Sequence, residues 1–307
     1  MTNLLNKLKG FFTRKQQPSR KVALVLSGGG ARGLAHVGAI EVLEERGYTI
    51  TSVAGTSMGA LVGGVYANGK LKELKELALN LNLKQTLGLI NLSMGLDHVA
   101  SGDKLMEVIE QLTGRTRIED LPIPYCCIAS DIVSGQERVF RKGSLTTAIR
   151  ASISIPCFFK PVREEGHIDV DGSIHNTLPL DRVERTEGDV LVAINVNAPD
   201  SCPYVYLKSE KKDAEKPKTE KISTLKAKLP FRKIQFSANY MNMAIRVANL
   251  SIQANTQLAL RLTPPDICAE LPMDLYNMFD FNKAEELIKY GREEMTRKLD
   301  EYEARFR

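Results

Sequence analysis

The sequence predicts a three-layer α/β/α fold with a mostly parallel central sheet. Three observations carry that prediction. Short apolar runs alternate with helical stretches along most of the chain, the order that builds a parallel sheet covered by helices. The first two runs end in small-residue turns that open directly into helices. A chain of 307 residues, 43% hydrophobic and 26% charged, is long and apolar enough to bury such a core.

The elements follow in order. Lys21–Ser27 (KVALVLS) is an apolar run that ends in glycines, which suggests a buried strand. Leu34–Gly47 reads as a helix with Ala35, Ile40 and Leu43 on its apolar side and Gly47 as its stop. Thr49–Ala54 is a second strand, and Ala60–Asn68 a small-residue helix built for close packing. Leu71–Leu83 and Lys104–Leu112 are amphipathic helices. Tyr125–Asp131, Glu137–Phe140 and Val190–Val196 read as strands. Ile234–Leu262 reads as one long helical stretch, and Asn282–Arg305 as a charged terminal helix. The expected organisation is a basic amphipathic segment over 1–20, a main α/β domain over 21–200, a charged flexible insertion over 201–233, and a helical part over 234–307 packed on the main domain.

Charge is unevenly placed. Residues 1–21 hold six Lys/Arg and no acid, and residues 207–233 hold ten Lys/Arg against four acids. The net charge is +5, so the rest of the chain is mildly acidic. Leu4, Leu5, Leu8, Phe11 and Phe12 recur at helical spacing among Lys7, Lys9, Arg14 and Lys15. That pattern suits a short helix lying on an anionic bilayer, or else a frayed tail or a helix packed on the body. Nucleic-acid binding is not expected, because the basic runs lack interleaved stacking aromatics or a known module. No stretch approaches the roughly 18 apolar residues of a membrane span, and the N-terminus lacks the pattern of a secretory signal. Cys126, Cys127, Cys157, Cys202 and Cys268 show no CxxC spacing, which suggests reduced thiols filling a core. The expected location is therefore cytoplasmic, peripheral on the inner membrane face. A homodimer stays open as an assembly.

Two motifs carry chemistry. Gly28-Gly29-Gly30-Ala31-Arg32-Gly33 follows a strand and opens a helix, and Gly28, Gly30 and Gly33 spell the GxGxxG of a dinucleotide fingerprint. That fingerprint also needs an acid near the end of the second strand. No Asp or Glu occurs between Arg46 and Lys72, so the loop reads as an anion cradle suited to a phosphate or to the oxyanion of an acyl intermediate. Gly55-Thr56-Ser57-Met58-Gly59 is GxSxG between a strand and a helix, the context of a nucleophile elbow. The bland alternative for Ser57 is a helix cap. A serine nucleophile needs a base. Among His36, His98, His167 and His175, the only close fit to the order of an α/β-hydrolase triad is His175 with Asp171. Four residues is short for triad members that normally come from different loops.

Further on, Asp169-Val170-Asp171-Gly172-Ser173 lies in a polar stretch where Asp-Gly marks a turn. GGGARG, then GTSMG about 25 residues later, then this distal Asp-Gly-small triplet together resemble the patatin-like phospholipase family. Ala151–Pro156 (ASISIP) and Phe158-Phe159-Lys160-Pro161 resemble that family's stretch before its aspartate. Glu119–Pro124 (EDLPIP) with Asp131 resembles the bacterial branch. About residues 20–200 match in order. The resemblance implies a Ser57–Asp171 dyad without histidine, an oxyanion loop over Gly28–Gly33, two-step acyl transfer on lipid esters, and no metal or cofactor. Arg32 either fixes the loop by bonding carbonyls or favours a phosphate headgroup. The triplet departs from the family in one place: Ser173 stands where glycine or alanine is usual. The leucine-heavy segment 71–100 reads first as helical core and second as a lid or acyl groove. A small-acyl esterase or thioesterase and a non-catalytic lipid-binding module are the competing functions.

Overall fold

The computed structural model describes residues 19–81, 102–156, 158–164, 166–201, 204–206, 234–236 and 240–306. The N-terminal segment through residue 18, the charged run 207–233, His98, Cys157 and Cys202 lie outside them. Five strands run parallel in the order β10-β7-β1-β2-β3: β1 (Lys21–Leu26), β2 (Thr49–Thr56), β3 (Tyr125–Asp131), β7 (Val190–Ala198) and β10 (Ile267–Pro272). Three antiparallel strands complete the sheet: β4 (Gln136–Phe140), β5 (Val162–Glu164) and β6 (His167–Asp171). β1, β3 and β7 are buried almost end to end, as expected of strands covered on both faces.

Helices cover both faces. One apolar cluster joins the sheet to α1 (Ala35–Glu45), α2 (Met58–Ala67), α3 (Leu71–Asn80), α4 (Asp103–Thr113), α5 (Leu145–Ser152) and α7 (Ala284–Ala304). On the other face, Ala23, Val25, Ala54, Leu178, Leu191 and Ala193 pack with Ala259 and Leu260 of α6 (Tyr240–Leu262). The three-layer, mostly parallel arrangement is the one the alternation of elements implies.

Several elements differ from the sequence reading. Ile234–Phe236 is a strand, β9, paired in parallel with β8 (Tyr204–Tyr206), and the described helix α6 spans Tyr240–Leu262. α5 and β10 lie outside the elements expected from the sequence. His167–Asp171 forms a strand, β6, and the turn marked by Asp-Gly follows it at Gly172–Ile174. The acids of β6 are tolerated there because partners meet them. Arg138 pairs with the buried Asp169, Asp171 accepts from Ser57 and Ser173, and His167 at the start of the strand bonds the Asp131 carboxylate of β3 at 2.8 Å.

The register of β3 positions the site. Its first half pairs with β2, ending at Thr56↔Ile128. The next residue, Ala129, pairs with Asp171 of the antiparallel β6. β2 and β6 therefore meet head to head along one edge of β3. Ser57 leaves the end of one strand where Asp171 ends the other.

Candidate active site

Ser57 holds φ 53° and ψ −121°, and among the described residues it is the single non-glycine with positive φ. Such backbone is strained for a residue with a Cβ and is found where the fold over-determines it. The neighbours leave room for it. A Cβ on Gly55 would strike the Gly59 carbonyl, and one on Gly59 would strike the Leu26 carbonyl. The Ser57 N–H donates to Ser152 Oγ at 2.8 Å, which ties the elbow to α5. α2 begins at Met58, immediately after the elbow and earlier than the periodicity suggested, so its positive dipole end lies at the serine.

Ser57 Oγ donates to Asp171 Oδ2 at 2.6 Å. The other carboxylate oxygen accepts the Ser173 N–H at 2.8 Å, and the Asp171 N–H donates to the Ser154 carbonyl at 2.8 Å. Both side chains of the pair are buried, each 5% exposed. Burial raises the Asp171 pKa above the ordinary carboxylate value, while hydrogen bonds from Ser57 and Ser173 pull it back. This environment favours a carboxyl that accepts a proton. Among the described residues no imidazole joins the pair. His175 bonds the Gly135 carbonyl at 3.2 Å, and His36 is fully buried against the Ser27 carbonyl at 2.9 Å. A carbonyl only accepts, so the His36 proton sits on Nε2. Cys126 and Cys127 are buried, with thiols pushed up by burial to about 11 and about 12, which keeps them unreactive.

The glycine loop stands beside Ser57. A Cβ on Gly28 would lie 2.5 Å from Ser173 Oγ and 3.2 Å from Ser57 Cβ. Gly30 has φ 59°, and a side chain there would strike the Met278 carbonyl. Not every N–H of the loop is open. Gly28 N donates to the Thr177 carbonyl at 3.0 Å and Ala31 N to the Met278 carbonyl at 2.9 Å. Arg32 takes the first of its two expected roles. It is 5% exposed and donates to the carbonyls of Val196 (3.0 Å) and Tyr276 (3.2 Å) and to Asn197 Oδ1 (3.1 Å). Gly33 packs on the Met58 side chain, closing the loop against α2. Thr56 Oγ1 donates to the Asn176 carbonyl at 2.7 Å, and Gly172 opens the turn after Asp171.

An apolar pocket opens onto Ser57. It is lined by Leu74, Leu77 and Ala78 of α3, by Leu81 just past its end, by α4 (Leu105, Val108, Ile109, Leu112) and by the aromatic rings of Phe158, Phe159, Phe279 and Phe281. Among the lining residues, Ser57 alone carries a polar side chain. The described part of the leucine-heavy segment is thus both core and groove: Leu74 and Ala78 are buried, yet they face this cavity. Met278, Phe279 and Phe281 bring the C-terminal part of the chain to the site, which sequence motifs gave no reason to expect.

A serine on a strained elbow, a carboxylate bonded to it and a glycine loop beside it thus meet at this apolar pocket. The patatin-like phospholipase family model matches residues 24–183, just over half of the chain, and the chain belongs to that family. An uncharacterized NTE family protein of Mycobacterium tuberculosis (strain ATCC 25618 / H37Rv) is 40% identical over 185 residues, covering 60% of this chain and 51% of that protein. Lysophospholipase nte1 of Neurospora crassa is 28% identical over 311 residues, 93% of this chain and 19% of that protein. Patatin-like phospholipase domain-containing protein 6 of Mus musculus is 32% identical over 185 residues, 58% and 14% of the two. This chain thus spans about half the length of the mycobacterial relative and less of the others. Among solved structures, VipD from Legionella pneumophila aligns with 92% of this chain and 67% of its own at a TM-score of 0.47 and 14% identity.

Proposed function

We propose that this chain is a serine acyl-hydrolase that cleaves carboxylic esters of lipids through Ser57 and Asp171. The observation that carries the reading is the 2.6 Å Ser57–Asp171 bond at a pocket whose other lining side chains are apolar. An acyl chain lies in the pocket with its ester carbonyl at Ser57. Asp171 takes the hydroxyl proton as Ser57 Oγ attacks, and the N–H groups of Gly29 and Gly30 receive the oxyanion with help from the α2 dipole. Asp171 returns the proton to the departing alcohol, leaving an acyl-enzyme. Water, deprotonated by the same carboxylate, then releases the fatty acid. Pocket chemistry favours long chains over small acyl groups. The name of the fungal relative, a lysophospholipase, makes monoacyl phospholipids the first lipids to try.

A panel of p-nitrophenyl esters of rising chain length, run on the native chain and on Ser57→Ala, tests the reading. Turnover rises with chain length and disappears in the variant. Turnover that survives in Ser57→Ala removes the nucleophile.

Peripheral contact with anionic membrane through the basic segments 1–21 and 207–233 belongs to the same reading. No helix among the described residues is long and apolar enough to cross a membrane. Deleting residues 1–20 weakens sedimentation with anionic vesicles and leaves soluble-ester turnover intact. Unchanged sedimentation ends that part.

A further inference from the structure

Asn197 lies near the end of β7, outside the stretch matched by the family model, and is 1% exposed. Both ends of its carboxamide engage the glycine loop. Nδ2 donates to the Gly28 carbonyl at 2.6 Å, and Oδ1 accepts from Arg32 Nη2 at 3.1 Å. The partners settle which end is which, because a carbonyl only accepts and a guanidinium only donates. Its own N–H donates to Asn195 Oδ1 at 3.0 Å, which steadies the strand end from which the amide projects.

Gly28 and Arg32 bracket Gly29 and Gly30, the two residues left to receive an oxyanion. The geometry of one peptide unit links them to Asn197. No cis peptide occurs among the described residues, so the Gly28 carbonyl and the Gly29 N–H lie in one plane and point in opposite directions. Pinning that carbonyl to Asn197 on the β7 side turns the Gly29 N–H to the other side of the loop. A run of three glycines has no intrinsic reason to hold that orientation, since glycine visits more of φ/ψ space than any other residue. The far end of the run is held independently by the bond from Ala31 N to Met278 O.

We propose that Asn197 is a positioning residue for the oxyanion hole, its carboxamide fixing the Gly28–Gly29 peptide so that the Gly29 N–H faces the acyl oxygen held at Ser57. The inference rests on the acyl-hydrolase reading above. Only an amide serves both contacts: a carboxylate keeps the bond from Arg32 but turns an acceptor toward the Gly28 carbonyl, and an alanine makes neither.

The test compares the full-length native chain, Asn197→Asp, Asn197→Ala and Ser57→Ala. It measures kcat and KM on a long-chain p-nitrophenyl ester and Ki for an alkyl boronic acid of matching length. The boronate adduct carries an oxyanion-like oxygen and reports the donors directly. Its Ki is also independent of what fraction of a preparation is folded. In both Asn197 variants kcat/KM falls about ten- to hundred-fold, the boronate Ki rises in step, and KM stays within about threefold. If Asn197→Ala folds poorly, the near-isosteric Asn197→Asp still gives the answer. A lower thermal midpoint with Ki unchanged reduces Asn197 to a purely structural role and overturns the proposal. Turnover persisting in Ser57→Ala instead overturns the hydrolase reading on which it stands.

Discussion

Ser57 Oγ donates to one oxygen of Asp171 at 2.6 Å, while the other oxygen of the same carboxylate accepts the Ser173 N–H at 2.8 Å. The carboxylate is thus held from both sides in a buried site. Burial raises its pKa, and the Ser173 side chain, which also bonds it, lowers it. Asp171 works as a base only when ionised, so the acid limb of the kcat/KM profile lies above the ordinary Asp value of about 3.9. Ser173→Ala keeps the backbone donor and removes the hydroxyl, so the limb moves to higher pH still. A pH–rate profile of the two proteins checks this, and a limb that stays put or moves down counts against Asp171 as the titrating base.

The glycine loop makes a steric prediction. Gly30 needs φ 59°, and a methyl group there meets the Met278 carbonyl. Gly30→Ala therefore pushes the loop away from the C-terminal segment and misdirects its donors. A loss of about 100-fold or more in kcat is expected, with the far-UV CD spectrum unchanged. Native kcat in a folded Gly30→Ala protein would exclude the loop from catalysis.

Chain-length choice is expected to reside in the pocket wall. Ala78 is 3% exposed, sits on α3 and faces the cavity. Ala78→Phe fills space that an acyl chain would occupy. The preferred ester becomes shorter, with turnover of the longest substrates down about tenfold or more and short ones little affected. An ester panel with an unmoved optimum would place the acyl chain elsewhere.

His36 links folding to pH. Unfolded, its imidazole titrates near 6.5; folded, burial holds it at about 4. Between those values the unfolded chain takes up a proton that the native chain refuses. Stability is therefore full above pH 6.5 and drains away as pH falls toward 4. At about 1.4 kcal/mol per pKa unit, the loss is on the order of 3 kcal/mol. His36→Gln removes this dependence, so the gap in urea stability between the native chain and the variant narrows from pH 7 to pH 4.5. Parallel pH curves for the two proteins would show that His36 contributes none of it.

What the sequence disclosed depends on how local each signal is. The alternation of apolar runs gave the layers, and GxSxG between strand and helix placed Ser57 on an elbow without further help. Asp171 came from a motif whose own strand was invisible, because β6 carries Asp169 and Asp171 and looks polar until Arg138 and Ser57 are seen to meet them. The long stretch from Ile234 hid β9, since a three-residue strand followed by a helix has no distinct period. β10 and Asn197 gave no local signal at all: a short strand becomes a sheet edge, and one asparagine becomes a clamp, only through partners far along the chain. The same holds for Met278, whose carbonyl supports the loop although nothing in its surroundings marks it.

The most direct test of the account is where an acyl-like electrophile becomes attached. The native chain is treated with a long-chain alkyl fluorophosphonate, and its intact mass and digested peptides are then measured. One adduct per chain on the peptide bearing Ser57, none in Ser57→Ala and much slower labelling in Asp171→Asn is the expected result. Stoichiometric labelling at another residue, or full labelling of Asp171→Asn at the native rate, would contradict it.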